Sequence, residues 1–237
     1  MHITVFAPRR LSVLGVFVFA GLFAPAIATA DLASLTNKDA TSGLKLALTR
    51  GAEFAVNQLG KPDGFLGNAQ VKIPLPQSLQ KVDKLARKFG LSKPADELVE
   101  TMNHAAEAAV VEAKPLLVNA VKKMTLTDAK DILTGPDDAA TQYFRKTSSE
   151  QLALKFLPIV KKSTAKLKLA DKYNHYAEKA SQFGLLEEKD ANLDTYVTQK
   201  AIDGLFVMVA EQEKQIRDNP LETGSKLLSK VFGALGQ

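Results

Sequence analysis

The chain has 237 residues with no cysteine and no tryptophan, and its 31 basic side chains against 26 acidic ones give a formal net charge of +5. The missing cysteines exclude disulfides, zinc–thiolate centres, thiol catalysis and a lipidated N-terminal cysteine. So mild a basic excess falls short of the clustered face that nucleic-acid binding needs, and favours at most weak attraction to anionic envelope surfaces.

Residues 1–30 read as a secretory signal. Arg9 and Arg10 form the charged start, "LSVLGVFVFAGLFAPAIA" the apolar stretch, and Ala28-Thr29-Ala30 a small-x-small cleavage site. A retained anchor is the competing reading, because the apolar run approaches the span of about 20 residues; Pro25 and the Ala-x-Ala end favour cleavage. The segment carries two arginines and no acids, so the remainder, 31–237, stands at +3. The expected location is periplasmic or secreted, without an integral membrane span. An exported domain of this size without disulfides must be held together by its core.

From there apolar residues recur at three-and-four spacing and rarely alternate, which predicts an all-α fold: a compact bundle of about eight to ten helices in a single domain. The first helix runs from about Asn37 to Leu59, burying Leu44, Leu48, Ala52, Ala55 and Leu59, and Gly60-Lys61-Pro62 stops it. One long irregular segment follows, 61–76, "KPDGFLGNAQVKIPLP". Asp63-Gly64 and Gly67-Asn68 are turn signals and Val71-Lys72-Ile73 a short extended piece, so a surface loop or a small hairpin is expected.

Further helices are expected near Gln77–Phe89, Pro94–Val111, Lys114–Lys123, Leu126–Leu133, Pro136–Lys146, Ser149–Lys166, Leu169–Phe183, Leu193–Arg217 and Glu222–Phe232. Pro115 and Pro158 should each start or kink a helix. "KFGL", "QFGLL" and "VFGAL" read as three glycine-terminated helix ends rather than as a repeat. Thr125 and Asp128 have capping-box spacing. Gly135 ends one helix and Pro136 suits the first position of the next, which puts Asp137 and Asp138 in its first turn, near free amides.

Candidate chemistry begins on that helix. Asp138, Gln142 and Arg145 share a polar stripe with Thr141 and Ser149, while Tyr143 faces away from it. In "AIDGLFVMVA", Ala201–Ala210, Asp203 is the lone charge in an apolar run, so it is expected in the core, where an unpaired carboxylate costs several kcal/mol. Lys200 and Tyr196 lie a turn and two turns back, and Arg145 is the remote cation whose planar fork best suits a carboxylate. Gly204 would admit a neighbouring helix. Asp138, Gln142, Tyr143, Arg145, Tyr196, Lys200 and Asp203 are therefore expected to form one buried or cleft-lining polar network, serving either the fold or a small ligand.

Elsewhere, Glu97, Glu100, His104 and Glu107 share a helical face and read as an exposed acidic surface, with no metal expected. His175 has no matching nucleophile or acid. There is no G-x-S-x-G, phosphate loop or H-E-x-x-H, and no cofactor or catalytic set is assigned. The tail "GSKLLSKVFGALGQ" is amphipathic, suited to docking on the bundle or on a membrane.

The stretches "GFLGNAQVKIPLPQSLQKV", "MTLTDAKDILTGPDDAATQYFR", "KFLPIVKK" and "LDTYVTQKAIDGLFVMVAEQEKQIRDNP" closely resemble a bacterial exported family catalogued as a domain of unknown function, four-one-nine-seven. The resemblance spans roughly Leu35 to Phe232. It implies a helical periplasmic or envelope-associated protein and carries over no activity, cofactor or catalytic residue. Members often have a cysteine at the cleavage site, where this chain has Ala30-Asp31. The expectation is an exported binding or interaction module whose partner is an envelope protein, a lipid or a small ligand. The alternatives are an enzyme or small-ligand protein working through a cleft at Arg145, Lys200 and Asp203, with Asp137, Asp138, Tyr143 and Arg145 as the rival catalytic cluster, and peripheral membrane attachment through the tail.

Overall fold

Residues 37–166, 170–171, 173–174 and 192–219 are described in a computed structural model of the chain. They contain seven helices and no strand: α1 (Asn37–Leu59), α2 (Gln77–Lys88), α3 (Lys93–Val110), α4 (Ala113–Lys123), α5 (Leu126–Thr134), α6 (Ala139–Thr164) and α7 (Leu193–Asp218). The leader read over 1–30, the helix near Glu222–Phe232, the tail and the second and third glycine stops lie outside the described residues, as does most of Leu169–Phe183. None of the described helices is long and apolar enough to cross a membrane.

Seven helices replace the expected eight to ten partly because two expected helices are one. Thr147-Ser148-Ser149 reads as a break followed by a cap, yet α6 runs straight through it. The Thr147 hydroxyl donates to the Tyr143 carbonyl at 2.8 Å and the Ser149 hydroxyl to the Arg145 carbonyl at 2.7 Å. Folded back onto the preceding turn in this way, hydroxyls are compatible with a continuing helix. Pro158 sits inside α6 rather than at its start, whereas Pro115 lies in the first turn of α4, where an amide has no partner to lose.

Other local signals form as the residues dictate. Thr125 and Asp128 exchange both bonds of a capping box at the start of α5. After α2, Gly90 takes φ 74°, and the Leu91 and Gly90 amides donate to the Ala86 and Arg87 carbonyls at 3.0 and 3.1 Å, the paired bonds of a glycine stop. The five residues expected on the buried stripe of α1 are all buried.

Helices α1, α3, α6 and α7 form the body, with α6 packed most extensively against α7 and α3, and α4 and α5 closing one side. Phe65, Phe144, Phe156 and Phe206 are its largest fully buried side chains. The first of these comes from segment 61–76. That segment is the surface loop rather than the hairpin: Lys61, Pro62, Asp63, Gln70 and Lys72 are exposed, while Phe65, Val71, Ile73 and Leu75 point into the core, making it a strap across the bundle. Gly204 of α7 provides its seat. A Cβ there would stand 2.7 Å from the Phe65 ring and 3.2 Å from Val71, so the close approach is to the strap rather than to a helix.

The start of α6 is held from a distance. Asp138 is the residue before the helix but makes no capping bond, and Asp137 precedes it. The anion at this end is Glu213 of α7, only 4% exposed, which accepts from the Ala140 and Thr141 amides at 2.9 Å each and from the Thr141 hydroxyl at 2.8 Å. Arg217, one turn on, donates to the same carboxylate at 2.9 Å and to the Ile132 carbonyl in the last turn of α5. One helix thus satisfies the free amides of α6 and a free carbonyl of α5.

Three stability effects follow. Gly204→Ala should cost roughly 1–3 kcal/mol by overpacking against Phe65. Glu213→Ala should cost about 3–5 kcal/mol, since it strands Arg217 and two helix amides. Thr141→Val removes a single hydroxyl bond and should cost about 1 kcal/mol. At about 2–4 °C per kcal/mol for a domain of this size, thermal melts separate the three.

Candidate functional site

The seven residues expected in one network take four separate local positions. Asp138 and Gln142 bond each other at 2.8 Å on the surface. Tyr143 turns inward and its hydroxyl donates to the Ala120 carbonyl at 2.9 Å, satisfying a carbonyl in the last turn of α4; burial pushes its phenol above the ordinary range. Tyr196 donates to the Pro74 carbonyl at 3.0 Å, tying the strap to α7, and the Lys200 ammonium lies 5.7 Å from its ring.

Arg145 and Asp203 do meet, at 3.4 Å, with Gln199 donating to the same carboxylate oxygen at 3.1 Å and the guanidinium over the Phe206 ring at 4.7 Å. The pair is not in the core, because the Asp203 side chain is 42% exposed. Val207 stands one turn from Asp203 and is also exposed, so the two mark the solvent stripe of α7. An ion pair so placed contributes at most about 1 kcal/mol.

Polar chemistry is concentrated instead where α3 meets the strap. Asn103 is fully buried: its amide donates to the Ile73 carbonyl at 2.9 Å and to the Val99 carbonyl at 2.7 Å, and its oxygen accepts from the Ile73 amide at 2.8 Å. It serves Ile73 as a neighbouring β-strand would. One turn on, Glu107 is only 6% exposed and accepts from the Phe65 and Leu66 amides at 3.1 and 3.2 Å. The expected exposed acidic face is therefore wrong at Glu107, because the strap covers that end of it.

His104 lies between Glu107 and solvent. Its Nδ1 is 2.7 Å from the second oxygen of Glu107, and its Nε2 is 3.7 Å from Glu100. The bond to Glu107 holds its pKa above the ordinary imidazole value, outweighing partial burial; Glu100 and Asp63 add smaller contributions of the same sign. On the far side of the ring opens a cleft of about 330 Å3, lined by Glu100, Thr101, His104, Ala105, Ser163 and Lys166. This is an imidazole between carboxylates at the edge of a water-accessible space, the setting in which protons and cations are held. Of these residues, the sequence singled out Glu100, His104 and Glu107. Asn103, the strap amides and Ser163 escaped it, having no spacing of their own to mark them.

The shift fixes a pH dependence. Because the folded-state pKa is raised, the stability contributed by His104 is fully present below its ordinary value of 6.5 and is lost as pH climbs through the raised one. The difference in melting midpoint between the native chain and His104→Gln should be widest near pH 6 and narrow by pH 9. A gap that does not change with pH would contradict the assignment.

No curated protein and no solved structure matches the chain. A family model does match, over residues 34–233, which takes in every described helix, the strap and the His104 region. The chain belongs to the family described as "Protein of unknown function (DUF4197)".

Proposed function

We propose that the chain is an exported interaction module of the cell envelope, and that α2 is the element that meets its partner. The exported half of the reading is supported by residues 1–30, with their charged start, apolar run and Ala-x-Ala end. The observation that carries the other half is that α2 is bare among the described residues. Among the described helices it alone lacks extensive packing against another helix. Leu85, Phe89 and Leu91, at its C-terminal end and just beyond, are 58%, 74% and 65% exposed.

Its position is nevertheless fixed at both ends. Gln80 donates to the Leu75 carbonyl at 2.8 Å, Pro76 is buried, and Arg87 pairs with Asp83 at 2.8 Å and with Asp96 of α3. Large apolar side chains clustered in water mark a contact surface. Lys84 and Lys88 are exposed on the same helix and make no ion pair among the described residues, so the matching surface is apolar at its centre and anionic at its rim. An enzymatic reading centred on Arg145, Lys200 and Asp203 draws no support from their geometry, which leaves Arg145 and Asp203 paired with each other and Lys200 against Tyr196.

The absence of cysteine makes the test clean, since Phe89→Cys accepts one label. An environment-sensitive dye at position 89 should shift to the blue when envelope fraction is added. The shift should be lost in Lys84→Glu/Lys88→Glu and absent from a dye on Glu150→Cys of α6. Equal responses at 89 and 150 would remove α2 as the contact element.

A further inference from the structure

We propose that Asp63, His104 and Glu107 form a binding site for one divalent transition-metal ion of the zinc type at the root of the strap. A carboxylate oxygen of Asp63, a ring nitrogen of His104 and a carboxylate oxygen of Glu107 all lie within 4.8 Å of one another. Around an ion bound at about 2.0–2.2 Å such atoms stand roughly 3–3.5 Å apart. Asp63, whose side chain is exposed and makes no hydrogen bond or ion pair among the described residues, would turn inward to complete the set, and the proton between His104 Nδ1 and Glu107, 2.7 Å apart, would leave as the ion enters.

What separates this cluster from a chance gathering of charges is that its buried member, Glu107, is aimed by partners outside the set. Glu107 is spoken for on one oxygen by the Phe65 and Leu66 amides, which leaves the other facing His104. His104 presents Nδ1 to the site while Nε2 faces Glu100 at 3.7 Å. Closing that contact to hydrogen-bond length would complete the carboxylate–histidine–metal arrangement, in which the outer acid fixes the tautomer and orientation of the ring. Asp63 is set by its backbone. It takes φ 60°, a left-handed conformation tolerated by Asp and Asn, within turns closed by Gly64 N to Lys61 O at 3.0 Å and Gly67 N to Asp63 O at 2.9 Å.

Three carboxylates around one imidazole also leave net negative charge whether or not the ring is protonated. One imidazole nitrogen with carboxylate oxygens suits zinc, manganese or iron(II) better than magnesium or calcium, which favour oxygen alone. Three protein ligands leave a position for water, as in metal sites that exchange ligands. The ion would add a link between the turn after α1 and α3, beside the one Glu107 makes to the Phe65 and Leu66 amides. The site lies apart from the exposed face of α2 and stands or falls without it.

The test is calorimetric titration of untagged, EDTA-stripped protein with zinc chloride. One saturable site per chain is expected. Asp63→Asn, which keeps the left-handed turn, and His104→Gln should each weaken it at least tenfold, and Glu100→Gln about tenfold. His175→Gln should leave it unchanged. Cobalt(II) should give visible absorption bands in the parent that are lost in His104→Gln, and circular dichroism establishes that each variant is folded. The proposal is overturned if uptake is not saturable, or if folded Asp63→Asn and His104→Gln bind zinc as the parent does.

Discussion

Glu213 reaches from the body of α7 to the first turn of α6 and gives its carboxylate to two amides that no residue of α6 itself can satisfy. Much of the fold depends on interactions of this kind. Helix ends and irregular segments carry backbone donors and acceptors that must find partners once buried, at a cost of about 1–3 kcal/mol for each that does not. Here the partners are side chains projecting from the middle or the far end of other helices. Glu213 and Arg217 bind α5 and α6 to α7, Asn103 and Glu107 bind the strap to α3, and Tyr143 and Tyr196 close α4 and the far end of the strap.

This explains how so irregular a segment can be fastened across a helical bundle. Residues 61–76 insert Phe65, Val71, Ile73 and Leu75 into the core. Their apolar burial alone would strand the amides between them. Asn103 and Glu107, one turn apart on α3, meet those amides where they fall, and Gly204 leaves room for the Phe65 ring. The strap in turn leads directly into α2, so the side chains that fix the strap also set where the exposed face of α2 is displayed.

What could be read from the residues alone was chemistry that is local in sequence. The Thr125–Asp128 box, the glycine stop after α2 and the buried stripe of α1 involve residues within a few turns of each other, and spacing encodes them. Membership of the family was legible for a different reason, in long motifs that run through the strap, α5, α6 and α7. Glu107 and Glu213 were not legible as buried acids. An acid on a helix face looks the same in sequence whether water or another segment covers it, and the covering segment lies 42 residues from Glu107 and about 73 from Glu213. Asp203 erred in the opposite direction: its apolar neighbours suggested burial, but Val207 shares its stripe and is itself exposed. Thr147 to Ser149 resembled a cap because hydroxyls serve equally well there and, bonded back one turn, inside a helix.

The central claim is that buried side chains from distant helices hold the amides of the strap and of α6. Residue-resolved hydrogen exchange tests it directly on the native chain. The Phe65, Leu66, Ile73, Ala140 and Thr141 amides, which accept no help from their own helix or turn, should exchange as slowly as amides in the middle of α3 and α7. Exchange of these five at the rates of exposed turns, with the helix interiors still protected, would contradict the account.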